Sequence, residues 1–307
     1  MNPSHGRYGW GGSVSMFQEV VQQIVNGLVL GSTYALIALG LTMIYGILGI
    51  VNWAHSELYM LGAFVGVFMV VTLHLPFLVG LVLAMAVMAV FGMAMDLLVF
   101  RPLRSAPEMN MIIGTLGISI FLVQAAVIVF SPNPVRFPTE FSDSYLSFMG
   151  ISITLQRLMV FCVTLVLIGI LNYIIKYTIV GKAMRACEQN SDAAKLMGID
   201  INQISLITCA IGAALAAAAG TLVGPIFLVS PQMGLAAISK VFAVVILGGM
   251  GNVPGAIWAA FILGLAESLT AGFLSSYYKD IVTFCILIAV LIVKPAGLFG
   301  RSQIEKV

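Results

Sequence analysis

The chain has 307 residues, of which 61% are hydrophobic and only 8% charged, and its formal net charge is +2. So few charged side chains cannot cover a soluble protein of this length, and the small net charge gives no reason to expect nucleic-acid binding. A mean hydropathy of +1.09 instead predicts an all-α, polytopic membrane helix bundle. The four cysteines include no CxxC pair, which argues against a disulfide framework and against a metal site.

Long apolar stretches follow one another along the chain, and a helix needs about 20 apolar residues to cross the hydrocarbon core. They predict about eight membrane spans, near residues 20–44, 77–100, 109–131, 155–176, 203–229, 236–251, 254–274 and 280–294. We expect residues 1–15 to be a disordered extension, residues 16–300 to form one transmembrane domain, and residues 301–307 to be a cytoplasmic tail.

The segment 45–74 can be placed in two ways, depending on the side of the amino terminus. The arginines within residues 101–104 predict a cytoplasmic loop, so the loop 132–154 lies outside and the charged segment 177–202 inside. With a cytoplasmic amino terminus, residues 45–74 form a broken, re-entrant hairpin at the outer face. With the amino terminus outside, residues 57–74 cross the membrane completely. A broken helix at membrane depth is typical of transport pathways.

His55 and Glu57 are ionisable residues in an otherwise nearly charge-free region, so they are candidates for lining a pathway. Two residues apart on a helix, they point roughly 200° away from each other, and we expect them to act separately. The alternative is a local role, in which Ser56 caps a helix and Glu57 interacts with its dipole.

Further polar residues complete the candidate pathway set. Tyr34 and Thr42 lie near one face of the first span, where simple packing is the alternative, and Asn52 precedes His55. Asn252 belongs to a Gly-rich segment, residues 248–255, which predicts a second break late in the chain. Glu267 follows a long apolar run and is interpreted as marking the membrane interface.

The segment between positions 176 and 200 is a charged island that must lie in water. Its charged residues are Lys176, Lys182, Arg185, Glu188, Asp192, Lys195 and Asp200. Asn190 or Ser191 can cap a short helix, Asp192–Met197, and Gly198 suits the position after its end. So short a helix is marginal alone and gains by docking into a groove on a partner; packing on this protein's own helix ends is the alternative.

No enzyme motif is recognisable. Gly181-Lys182 continues with Ala183 and lacks the upstream glycine of a phosphate-binding loop, and neither HExxH nor GxSxG occurs. We therefore expect a protein that is not an enzyme, with any energy supplied by a partner.

Four segments give the chain a family resemblance. They are Asn52–Ala63 (NWAHSELYMLGA), the island's GKAMRA and AAKLMGI at 181–186 and 193–199, the segment Val244–Glu267 with LGGMGN, and Lys294–Gly300 (KPAGLFG). Together they resemble the permease subunit of bacterial branched-chain amino acid ABC transporters, of the LivH type.

The resemblance implies a multi-pass protein of the bacterial inner membrane that works in a complex. Its partners would be two cytoplasmic ABC ATPase subunits, a second permease subunit (LivM-like or a second copy), membrane lipid and a periplasmic amino acid binding protein. This chain would bind no cofactor itself, since the ATPases use ATP and magnesium. The implied coupling helix and its ATPase contact comprise Ser191, Asp192, Ala193, Ala194, Lys195, Leu196, Met197 and Gly198.

Two rival functions remain open from the sequence. An ABC permease of the same kind could carry urea, short amides or another small polar solute. An ion-coupled secondary transporter would use intramembrane acids, for which Glu57 and Glu267 are the candidates.

Overall fold

A computed structural model describes residues 16–142, 144–148 and 151–300. The predicted extension 1–15 and tail 301–307 lie outside the described residues. Over these residues the structure is a polytopic bundle of α-helices with one short pair of antiparallel strands, which confirms the predicted fold class.

The helices are α1 Met16–Leu48, α2 His55–Val67, α3 Phe77–Met95, α4 Arg101–Leu103, α5 Glu108–Phe130, α6 Leu155–Tyr177, α7 Ile179–Gln189, α8 Ser191–Leu196, α9 Ile201–Val223, α10 Met233–Gly248, α11 Val253–Phe273 and α12 Lys279–Val293. A π turn, Phe68–Thr72, prolongs α2, and a second, Asp96–Phe100, joins α3 to α4. Strands β1 (Tyr145–Phe148) and β2 (Ile151–Thr154) pair antiparallel. Among the described residues, seven helices are long and apolar enough to cross a membrane, and α10 is a shorter apolar helix. The chain is thus a multi-pass membrane protein.

The packing of α1 against α6 gives the direction of the first span. Asn26, early in α1, is hydrogen-bonded to Arg157 at the start of α6. Met43, late in α1, lines one pocket with Ile175 at the end of α6. The two helices are therefore parallel, and α1 ends on the face where the charged island follows α6. If the island is cytoplasmic, the amino terminus lies outside, as in the second of the two predicted topologies.

The predicted break near 45–74 is confirmed and spans residues 49–54, after which α2 begins inside the bundle. His55 contacts Gly40, which is eight residues, or about 12 Å of helix, before the end of α1. Gly62 packs on Ala217 and Gly66 on Thr221, so α2 runs parallel to α9 and away from the island. The break therefore enters from the face on which the island lies, whereas the predicted hairpin entered from the opposite face.

A second break lies at residues 224–232, earlier than predicted. The predicted span 203–229 ends at Val223, and Val229 then forms a β-bridge with Val135 in the loop at the face opposite the island. The chain turns inward from there, and α10 begins beside Glu57. The Gly-rich segment 248–255 is instead a turn on the island's side of the bundle, where Gly251 packs on Gly46 of α1. The two breaks enter from opposite faces, an inverted arrangement found in many transporters.

Glycines let α9 approach its neighbours closely. A Cβ at Gly92 of α3 would come within 2.5 Å of the Cys209 carbonyl oxygen, and one at Gly220 within 2.0 Å of that of Tyr59. Residues 213 and 215–219 are buried and, Leu215 apart, are alanines. Small side chains of this kind allow membrane helices to pack by close backbone contact.

Candidate functional site

The capping residues predicted α8 correctly, although the helix begins and ends one residue earlier than the predicted Asp192–Met197. Asn190 is the N-cap, and its Oδ1 accepts hydrogen bonds of 3.0 Å from the backbone N–H groups of Asp192 and Ala193. Gly198 ends the helix with a φ of +84°, which favours glycine. Lys195 lies 3.4 Å from Asp192, an exposed ion pair that contributes little to stability.

α8 presents large apolar side chains to solvent. Ala194 is buried, whereas Leu196 is 90% and Met197 83% exposed. An open groove of about 710 Å³ separates α8 from the bundle and is lined in part by Leu48, Arg104, Lys195 and Asp200. A helix that keeps two large apolar groups in water and is held by one alanine is suited to docking on another surface.

Buried polar residues stabilise the first break, and their side chains contact different neighbouring helices. Asn52, fully buried, accepts a hydrogen bond of 3.0 Å from the Ala54 N–H. The His55 Nε2 lies 3.1 Å from the Ile37 carbonyl oxygen of α1, whereas Glu57 faces α5 and α10. His55 and Glu57 therefore point to different neighbours, as their spacing indicates. Ser56 does not cap α2, since the N-cap is Ala54.

Glu57 is fully buried between the starts of two helices. Its Oε1 accepts a hydrogen bond of 3.0 Å from Ser119 of α5. Its Oε2 faces the first turn of α10, where a Cβ at Gly234 would lie only 2.2 Å away. Helix N-termini carry partial positive charge, so the first turns of α2 and α10 both favour a carboxylate here.

Tyr34 belongs to a charged cluster that the sequence did not predict. Its hydroxyl donates a hydrogen bond of 2.7 Å to Glu267, which also accepts from Thr283 at 2.9 Å. Lys240 lies 3.1 Å from Glu267 and 2.9 Å from Asp280. Glu267 is only 2% exposed and joins four helices, so it has a packing role that its interpretation as an interface marker did not include. The lone lysine of the apolar stretch 201–266 was the available signal, since such a charge needs a partner.

Thr42 and Asn252 lie apart from these groups. Thr42 is fully buried in α1, and its Oγ1 has no hydrogen-bond partner within the described part of the chain. Asn252 is at the end of the bundle nearest the island, where its Oδ1 caps α11 by accepting from the Gly255 N–H at 3.0 Å. Its Nδ2 donates to the Phe299 carbonyl oxygen at 2.7 Å. These contacts give Asn252 a capping role and do not place it beside Glu57.

Comparison with known proteins identifies the family. Residues 23–291 match the family described as Branched-chain amino acid transport system / permease component. The chain is 36% identical over 304 residues to the High-affinity branched-chain amino acid transport system permease protein LivH of Escherichia coli (strain K12), covering 95% of this chain and 99% of that protein. It is 37% identical over 301 residues to the permease protein BraD of Pseudomonas aeruginosa, covering 94% of this chain and 98% of BraD. The permease protein LivM of Escherichia coli (strain K12) is 28% identical to this chain, covering 88% of this chain and 68% of LivM. No solved structure matches. The chain belongs to the family of permease components of branched-chain amino acid transport systems.

Proposed function

We propose that this chain is the transmembrane permease subunit of an ABC importer for branched-chain amino acids in the bacterial inner membrane. Two cytoplasmic ATPases would hydrolyse ATP with magnesium, a LivM-like chain or a second copy would complete the membrane part, and a periplasmic binding protein would deliver the amino acid. The names of the relatives support the cargo.

The observation that carries the proposal is the exposed tip of α8. Leu196 and Met197 project from the end of α8, and a hydrogen bond ties α8 to the short segment that leads into α9: the Ile199 N–H donates to the Ala194 carbonyl oxygen at 3.0 Å. Asp200 then caps α9 through the Asn202 N–H at 2.9 Å. α9 is central, with α1, α2 and α3 packed around it. A partner that displaces α8 would thus act on the centre of the bundle, as alternating access requires.

The inverted breaks support a passage near Glu57. α2 and α10 both begin inside the bundle, so their ends rather than continuous helices meet there. Half-helices of this kind commonly line substrate paths in transporters. We place the amino acid path beside this junction, with Glu57 as its candidate acid.

Copurification tests the proposal. Leu196→Asp should lower retention of the ATPase about 10- to 100-fold, because burying a leucine contributes about 1.5–3 kcal/mol. Gly198→Pro should act similarly, since proline cannot adopt a φ of +84°. The matched control is Ile179→Asp, which changes an 84% exposed residue in the first turn of α7, where a carboxylate is tolerated. Normal ATPase retention by Leu196→Asp would refute the docking role of α8.

A further inference from the structure

A buried carboxylate joins the cytoplasmic ends of α3 and α9. Asp96 is fully buried at the start of the π turn that follows α3. Its Oδ1 accepts hydrogen bonds from Ser205 Oγ and, at 3.4 Å, from Arg104 Nη2, and Arg101 lies 3.7 Å from its Oδ2. π turns inside helices are rare and frequently occur at functional sites. The hydrogen bonds and ion pairs of Asp96 go to Arg101, Arg104 and Ser205 and not to the Glu57 junction, so we give it no part in the proposed passage.

Arg104 extends this contact to the first turns of α9. Its Nη1 donates to Asn202 Oδ1 at 3.3 Å, and its Nη2 donates to Ser205 Oγ at 2.6 Å. The same side chain lines the groove beneath α8, together with Lys195 and Asp200. One guanidinium group therefore contacts α9, the buried acid of α3 and the space next to α8.

The segment that connects α8 to α9 is short and hydrogen-bonded. Four residues, 197–200, separate the two helices, and hydrogen bonds hold them: Gly198 N–H to Lys195 O and Ile199 N–H to Ala194 O, both 3.0 Å. A displacement of α8 must therefore reach the first turn of α9, which carries Asn202. That turn is the one that Arg104 holds.

We propose that Asp96, Arg104 and Ser205 form a positioning clamp that makes α3 and α9 move as one body when α8 is displaced. The clamp rests on the proposed function, since it assigns a role in ATP-driven motion. Charge-assisted hydrogen bonds are stronger than neutral ones, so they can keep the ends of α3 and α9 in a fixed relative position while α8 moves. The close contact of Gly92 with the Cys209 carbonyl oxygen continues the same interface deeper in the bundle.

The test uses the complete transporter, with its ATPases and binding protein, in proteoliposomes. The variants are Asp96→Asn, Arg104→Gln and Ser205→Ala. For each, ATPase retention, ATP hydrolysis stimulated by loaded binding protein, and amino acid uptake are measured. We expect assembly and hydrolysis to persist while the amino acid moved per ATP falls about tenfold, within the roughly 5- to 150-fold range of allosteric coupling. Glu108→Gln, a carboxylate-to-amide change at an exposed site on the same face, should keep the wild-type ratio.

Three results separate the possibilities. A wild-type ratio in Asp96→Asn would overturn the clamp, whereas a wild-type complex that contains no ATPase would overturn the proposed function instead. The double variant Asp96→Asn/Arg104→Gln should be no worse than either single variant, and additive losses would also count against a shared clamp. If Asp96→Asn does not accumulate in the membrane, Ser205→Ala decides by the same ratio, because it removes a single hydroxyl.

Discussion

Gly62→Ala should destabilise the bundle by separating α2 from α9. The added methyl group would lie 2.3 Å from Ala217 Cα and 2.7 Å from Ala217 Cβ. Carbon atoms rest at about 3.5–4.0 Å, so the helices must move apart by more than about 1 Å. Since the nearest atom belongs to the backbone, no side-chain rotation can relieve the contact.

The size of the effect follows from two opposing contributions. Overpacking costs about 1–3 kcal/mol, and a backbone contact belongs at the upper end of that range. Replacing glycine by alanine within a helix stabilises the helix by up to about 1 kcal/mol, because alanine has the higher helix propensity. Gly117 supplies the matched control, because a Cβ there meets nothing within 4 Å. The two variants should therefore differ by about 3 kcal/mol, with Gly62→Ala the less stable.

Thermal unfolding of the purified protein in one detergent measures this difference. At about 2–4 °C per kcal/mol for a chain of this size class, the Tm of Gly62→Ala should lie about 6–12 °C below that of Gly117→Ala. Equal Tm values, or a higher value for Gly62→Ala, would refute the close α2–α9 contact.

Three further outcomes are expected. Glu57→Gln should reduce uptake but leave membrane assembly and ATPase retention intact; wild-type uptake would favour a purely local helix-dipole role. Glu267→Gln leaves Lys240 without its buried partner and should lower the Tm clearly more than Asp280→Asn, since Asp280 is 55% exposed and Glu267 2%; the reverse order would contradict the buried pair. Burial raises the pKa of the Cys187 thiol, so its alkylation rate should still be rising above about pH 8.5, where an unperturbed thiol is half ionised; a midpoint at or below that pH would count against burial.

Local signals made α8 predictable from sequence. Asn190 and Gly198 fix its ends through hydrogen bonds and a positive φ that depend only on neighbouring residues. The apolar stretches likewise predicted where most helices lie, because hydrophobic length alone determines whether a helix can cross a membrane.

Contacts distant in sequence could not be predicted in this way. Asp96 meets Ser205, 109 positions away, and Tyr34 meets Glu267, 233 positions away, and no local pattern encodes these pairs. The second break was missed although Gly224-Pro225 and Ser230-Pro231 interrupt the apolar run, because mean hydropathy is insensitive to helix breakers. The direction of α1 also required its packing against α6.

Two buried carboxylates, Asp96 and Glu267, each link a group of helices, and we expect the two groups to move relative to each other. Asp96 links the end of α3 to α9 through Ser205, and Glu267 of α11 links that helix to α1, α10 and α12. Because separating either group would leave a buried carboxylate without its partner, we expect both groups to stay intact when the bundle changes conformation. Glu57 belongs to α2, which packs on α9 of the first group and faces α10 of the second, and within the described residues its Oε2 has no hydrogen-bond partner. Relative motion should therefore concentrate where Glu57 meets Gly234. Withdrawal of α10 would expose this carboxylate, so Glu57 is the acid that we expect a passing amino acid to meet.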